Sequence, residues 1–172
     1  MKFYESTIKE TSIYTGSYLE LVNVDVKLPD GNISNRDIIK HPGACAIIPF
    51  LSDTEIILIE QFRKPLEKTI LEIPAGKINK NEDLLLCAHR ELEEETGYKA
   101  KNMIHLGSIA TAPGFCDEII HLYKASDLYK GNKSCDEDEF TDIKVFTLDE
   151  IKNMIKKGEI IDTKTISILS FL

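Results

Sequence analysis

An α+β fold is the expectation for this chain, and three observations carry it. Strand patterns outnumber helical ones. The longest helical pattern, after Asn81 and up to Gly97, has strand patterns on both sides. Two shorter helical stretches close the chain, so helices pack on the faces of a mixed sheet rather than on each other.

The first 40 residues read as strands without a helix. Val22, Val24, Val26 and Leu28 share a face with Tyr18 by alternation, although Glu20 breaks the stripe. Pro29-Asp30-Gly31 is a turn signal, and Ile33–Lys40 returns as the second arm of a hairpin. Ala44–Phe50 and Glu55–Phe62 follow as strands around a Ser-Asp-Thr turn, and Thr69–Ile73 is a short strand leading to Pro74-Ala75-Gly76.

The main helix takes Asn79 or Asn81 as its cap, with Glu82 and Asp83 suiting its positive N-terminal end. Leu84, Leu85, Ala88 and Leu92 form its apolar stripe, and Gly97 stops it in a left-handed conformation. Met103–Ala110 and Glu118–Ala125 read as strands around the loop Thr111-Ala112-Pro113-Gly114-Phe115. Residues 126–139 read as a polar, acidic loop before a strand around Ile143–Thr147. Thr147 and Glu150 make a capping box for a helix to Lys157 with Gly158 as its stop, and Asp162 caps a last helix to Leu172.

The 172 residues are 42% hydrophobic and 29% charged, which suits one globular domain with a small extension. A net charge of −8 argues against a nucleic-acid polymer as partner, since that would need a basic stripe. A small anionic ligand remains compatible, because bound metal makes a site locally positive. Cys45, Cys87, Cys116 and Cys135 show no CxxC pairing, so neither a zinc site nor a disulfide framework is expected. The start MKFYESTIKE lacks the apolar core of a signal peptide, and the apolar run 44–51 is too short to cross a bilayer. A cytoplasmic location without a membrane partner follows as the expectation.

Chemistry concentrates in residues 76–98, GKINKNEDLLLCAHRELEEETGY. Glu91, Glu94 and Glu95 are spaced to share one helix face. On a solvated face such neighbours cost only tenths of a kcal/mol. Partly buried, two carboxylates about 6 Å apart repel by about 3 kcal/mol at an effective dielectric of 20, and a bound cation offsets that. A diphosphate repels a water-derived nucleophile, and divalent metal held by several carboxylates removes the obstacle. Arg90 is placed to hold a carboxylate by a forked hydrogen bond.

The order Gly76, Glu82, Arg90, Glu91, Leu92, Glu94, Glu95, Gly97 resembles the Nudix box, the signature of Mg²⁺-dependent enzymes that cleave a diphosphate linked to another group. At roughly one in twenty per fixed residue, chance makes such a match on the order of once in a million. The resemblance implies an α/β/α sandwich with a mixed sheet over residues 41–172, preceded by a small β subdomain, residues 1–40. Outside the box, Gln61-Phe62-Arg63, Leu71-Glu72-Ile73-Pro74-Ala75-Gly76, Pro113 sixteen residues after Gly97, and Asp136-Glu137-Asp138-Glu139 are similar to the ADP-ribose pyrophosphatase branch of that family. So is a β-rich N-terminus with Arg36-Asp37.

What the resemblance implies is hydrolysis of ADP-ribose to AMP and ribose 5-phosphate, with Mg²⁺ as cofactor and Mn²⁺ as a substitute. The metal ligands would be Glu91, Glu95 and the Ala75 carbonyl, with Glu139 adding another. Glu137 would be the general base, supported by Glu94, Arg90 and Glu82. Arg63 would contact phosphate and Glu118 the ribose, beside Pro113 and Gly114. Arg36 and Asp37 would meet the adenine side, with residues 1–40 joining two chains as a homodimer. The alternatives are another nucleoside diphosphate sugar, such as GDP-mannose or ADP-glucose, a module that binds ADP-ribose without cleaving it, or an acidic protein that binds cations for stability.

Overall fold

The computed structural model describes residues 2–134 and 140–172. The chain forms two compact units: Met1–Gly43 with Ala110–Ile119, and Ala44–Ile109 with Ile120–Leu172.

The first unit is built on three antiparallel strands, β1 (Ser6–Thr15), β2 (Glu20–Lys27) and β3 (Ile33–Lys40), in the order β1-β2-β3. Its core is small: Val22, Val24 and Val26 from β2, with Leu28 and Ile38 against them. Tyr18 precedes the strand and is half exposed, so it does not join the valine stripe. Gly31 supplies the left-handed turn into β3. Residues 110–119 attach to the end of β3: the Ile39 N–H donates to the Phe115 carbonyl at 2.7 Å, and the Asp117 N–H to the Ile39 carbonyl at 3.1 Å.

The second unit contains β4 (Ala44–Pro49), β5 (Glu55–Arg63), β6 (Lys68–Glu72), β7 (Ala75–Lys77), α1 (Leu84–Thr96), β8 (Tyr98–Ala110), β9 (Ile119–Lys130), β10 (Thr141–Thr147), α2 (Leu148–Lys157) and α3 (Thr163–Ile168). One sheet runs β7-β4-β9-β8, mixed because β4 is parallel to β9 and antiparallel to β7. The other runs β10-β5-β6 and is antiparallel.

Every residue of β4 is buried, as a strand covered on both faces requires. Its alternate side chains enter two cores. Ala44, Ala46 and Ile48 pack with Ile151 of α2, Ile160 and Ile168 of α3. Cys45 and Ile47 pack with Cys87, Ala88 and Leu92 of α1. Helices thus cover both faces of the sheet, the layered α+β arrangement expected.

Several local expectations need correction. Asp83, not Asn79 or Asn81, caps α1: its carboxylate accepts the N–H groups of Leu85 and Leu86. Asn81 sits at φ 64°, in the turn before the cap. An ionised acceptor is the stronger partner for the exposed amides. Leu85 is 43% exposed, and Cys87 takes its place in the buried stripe. β8 begins at Tyr98 rather than Met103. Residues 126–130 are not loop but the end of β9, where Leu128 packs on the core beside α1 and Lys130 lies over the Tyr98 ring. β10 begins at Thr141, and α3 ends at Ile168 before a short 3-10 turn to Phe171. The Thr147–Glu150 capping box and the Gly97 and Gly158 stops are as expected.

Candidate active site

The box residues of the second unit meet where β7 lies against α1. A side chain at Gly76 would overlap the Glu91 carboxylate, so only glycine lets that carboxylate lie on the β7 backbone. Glu91 is 7% exposed and Glu95 2%. The Glu95 Oε2 accepts the Ala75 N–H at 2.8 Å, which ties the other end of the helix face to the same short strand.

Arg90 organises the remaining acids. Its Nε and Nη2 fork onto the two Glu82 oxygens at 2.7 and 2.9 Å. Its Nη1 reaches Glu91 at 2.6 Å and Glu94 at 2.9 Å, and Nη2 also donates to the Lys77 carbonyl at 3.1 Å. The Arg90 guanidinium, with a lesser contribution from the Asn79 N–H, pulls the Glu82 carboxyl down to about 2. The same carboxylates, Glu82 first, raise the pKa of Arg90 itself.

These donors suit a hard divalent cation, because they are all oxygens: two buried carboxylates and a backbone carbonyl at Ala75. Among the described residues no three His, Cys, Asp or Glu side chains converge on one point. A cation held there would complete its coordination with backbone carbonyl and water, as Mg²⁺ commonly does.

Arg63 is fixed from behind. Its Nε and Nη2 fork onto Glu72 at 2.7 and 2.9 Å, while its side chain stays 37% exposed. Burial works against the charge on Arg63, but the Glu72 bonds outweigh it and raise the pKa. Glu72 is 1% exposed and also bonds Lys164, which in turn meets Asp162 at 3.1 Å. Neither Glu72 nor Lys164 was assigned a role from the sequence. A buried lysine in a short polar helix leaves no local signal.

The first unit holds a hollow of about 500 Å³ lined by Glu5, Arg36, Ile38, Pro113, Gly114 and Glu118, among others. Arg36 is paired with Glu5 at 2.8 Å. Glu118 accepts the Thr111 hydroxyl at 2.7 Å and lies 3.4 Å from His41 Nδ1. Asp37 is set apart, because neighbouring strand residues point to opposite faces. It accepts from Asn23 at 2.7 Å in a ladder of exposed amides and acids.

Glu137 and Glu139 lie outside the described residues. The described flanks of that segment both bond the last turn of α1: Ser134 N–H to the Glu94 carbonyl at 3.1 Å, and the Thr141 hydroxyl to the Glu95 carbonyl at 3.4 Å.

The NUDIX domain family model matches residues 39–167, more than half of the chain. This chain belongs to the NUDIX family. Among its relatives, the Methanol dehydrogenase activator of Bacillus methanolicus is 50% identical, over 99% of this chain and 93% of that protein. The ADP-ribose pyrophosphatase of Bacillus subtilis (strain 168) is 43% identical, over 98% of this chain and 92% of that one. A second ADP-ribose pyrophosphatase, from Mycobacterium tuberculosis, is 30% identical over 94% of this chain and 79% of its own length. A crystal structure described as ADP compounds hydrolase superposes with a TM-score of 0.85, over 97% of this chain and 91% of that one. At 21% identity that likeness bears on the fold, which it shares. As a Nudix hydrolase the chain calls for a divalent metal ion.

Proposed function

We propose that this chain hydrolyses the diphosphate of ADP-ribose, giving AMP and ribose 5-phosphate, with Mg²⁺ as its ion and Mn²⁺ as a substitute. The observation that carries the reading is the glycine-cradled Glu91, seated beside Arg90 and in line with Glu95 on one helix face. The 43% identity to an ADP-ribose pyrophosphatase supports the substrate.

Glu91, Glu95 and the Ala75 carbonyl would hold the ion, with Glu139 adding a ligand. The ion would neutralise the diphosphate oxygens and supply a water-derived nucleophile at neutral pH. Arg90 keeps Glu82 ionised and holds Glu82 and Glu94 aimed along the helix. Arg63, held by Glu72, presents its exposed edge to a phosphate. Arg36, Pro113, Gly114 and Glu118 receive the nucleoside end; the fixed, outward-facing Asp37 is left unassigned. Glu137 takes the proton, and the anchoring of residues 134 and 141 to α1 supports a role for the intervening acids.

A homodimer through residues 1–40 fits the exposure of Ile8, Ile13 and Tyr14 along β1, and light scattering at working concentration tests it. A cytoplasmic setting accords with unpaired cysteines at 45, 87 and 116. No helix among the described residues is long and apolar enough to cross a membrane.

The deciding experiment is a panel of nucleoside diphosphate derivatives with Mg²⁺ or Mn²⁺, the products separated by chromatography. AMP and ribose 5-phosphate from ADP-ribose, at the highest specificity constant, is the expected result. A much higher constant for GDP-mannose or a nucleoside triphosphate refutes the substrate. The 50% identity to a Methanol dehydrogenase activator favours a second reading, action on a dehydrogenase partner. Hydrolysis by the purified chain alone, with no effect on an added methanol dehydrogenase, argues against it.

A further inference from the structure

Gln61 is the buried polar group that the fold does not explain. It is 7% exposed, and among the described residues its Oε1 has no hydrogen-bond partner. Such an atom is rare in native proteins and calls for a physical reason. The surroundings make a glutamine costly. On the same face of β5 the preceding alternate residues are Ile57 and Ile59, and the cross-strand partner on β6 is Ile70. Gln61 stands where that apolar stripe gives way to Arg63 on β5 and Glu72 on β6, and a buried polar atom left unpaired at such a point marks a functional position.

The position of Gln61 supplies the reason. Its other cross-strand partner is Thr141 of β10, and opposed residues in a ladder bring their side chains together on one face. The Thr141 hydroxyl bonds the carbonyl of Glu95. Two residues along the same face of β5 stands Arg63, whose guanidinium feels the Glu95 charge. Gln61 therefore lies between the end of the acidic helix and the arginine assigned to phosphate. A carboxamide oxygen only accepts, so its partner must be a donor. A buried water is held by several polar groups, and Thr141, Arg63 and Glu72 are polar neighbours on this face.

We propose that Gln61 positions the water consumed in hydrolysis, its Oε1 accepting one hydrogen of that water beside Glu95. This rests on the hydrolase reading above and adds a residue to it. In the step served, the water oxygen bonds one phosphorus and the bond from that phosphorus to the bridging oxygen breaks. The bridging oxygen leaves on the second phosphate with the electron pair, and one proton passes to the general base. Gln61 neither gives nor takes a proton. It fixes the approach of the water, and fixing a reactant affects turnover more than substrate binding.

The test is Gln61→Met, which keeps the length of the side chain and removes the acceptor. The expected result is a 10- to 100-fold fall in kcat on whichever diphosphate the wild type cleaves best, a barrier increase of about 1.4–2.7 kcal/mol. KM, and the Kd for AMP by calorimetry without metal, should stay within about twofold. The melting temperature should hold or rise by about 2–4 °C, because an apolar group of the same shape removes an unsatisfied one. A merely structural glutamine gives the opposite pattern: lower melting temperature, raised KM and little change in kcat. Gln61→Leu repeats the measurement if the methionine variant does not fold. An undiminished kcat in a folded variant overturns this proposal alone. A wild type inert on every diphosphate overturns the hydrolase reading and this proposal with it, whereas the melting and AMP arms still read the structural role.

Discussion

Replacing Arg90 by methionine tests how the carboxylates of α1 are held together. The guanidinium makes two bonds to Glu82 and one each to Glu91 and Glu94, from a side chain 27% exposed. The Glu82 carboxyl, drawn down to about 2 from 4.5, corresponds to about 3 kcal/mol of coupling, and to about 2 after solvent screening. Glu91 is more buried and loses a partner as well, and breaking a buried pair from one side costs about 3–5 kcal/mol. Arg90→Met should therefore lose about 3–5 kcal/mol at pH 7, or about 6–20 °C in melting temperature for a chain of this size. The loss should depend on pH with a defined sign. A depressed folded-state carboxyl stabilises above its unfolded pKa and loses that contribution as pH falls toward the folded value. The difference between wild type and variant should be full above about pH 4.5 and shrink toward pH 2. Urea melts of both proteins at pH 7, 4 and 2.5 measure it. A penalty independent of pH, or under 1 kcal/mol at pH 7, refutes the claim that Arg90 gathers these acids.

Other outcomes follow from the same geometry. Glu95→Gln keeps an acceptor for the Ala75 N–H, so melting should barely change while turnover falls by several orders of magnitude; near-normal turnover in the folded variant rejects Glu95 as a ligand. Lys164→Met leaves Glu72 with Arg63 alone, which should cost about 2–3 kcal/mol, less than the 3–5 for a buried carboxylate left unpaired, by denaturant titration. Glu137→Gln should lower kcat by roughly 10²–10⁴ with ADP-ribose still bound in calorimetry. If Glu139→Gln is the crippled variant instead, the two acids exchange roles.

Local signals were the ones the sequence made legible. Thr147, Glu150 and Gly158 define α2 because a capping box and a left-handed stop depend on residues within one turn. Asp83, Asn79 and Asn81 are alike as caps by residue type, and the turn geometry at Asn81 decides which side chain reaches the first amides. The end of β9 was hidden by polar residues at 126 and 127, whereas Leu128 joins the core only through contacts distant in sequence. The same limit applied to the site. Glu91, Glu94 and Glu95 share a face by helical spacing, and it is the resemblance of the whole glycine-framed stretch to the Nudix box that sets them, with Arg90, apart from a solvated face. The carboxylate that fixes Arg63, and the lysine behind it, are separated by 92 residues and meet only in the folded chain. Arg36 and Asp37 are joined by the family resemblance, and strand alternation puts them on opposite faces of β3, which their adjacency in sequence does not display.

The burial of β4 on both faces has a consequence for the acids of α1. A slip of one residue would exchange Ala44, Ala46 and Ile48 with Cys45 and Ile47, and neither core could accept the other's set of volumes. β4 is thus locked in register by the two cores its side chains enter. β7 pairs with β4 through three residues, with Gly76 opposite Cys45. The placement of the Gly76 backbone under Glu91 is inherited from that lock. Volume changes at Ile47 or Ile48 should accordingly register at the acidic face as altered ion affinity before they register as unfolding.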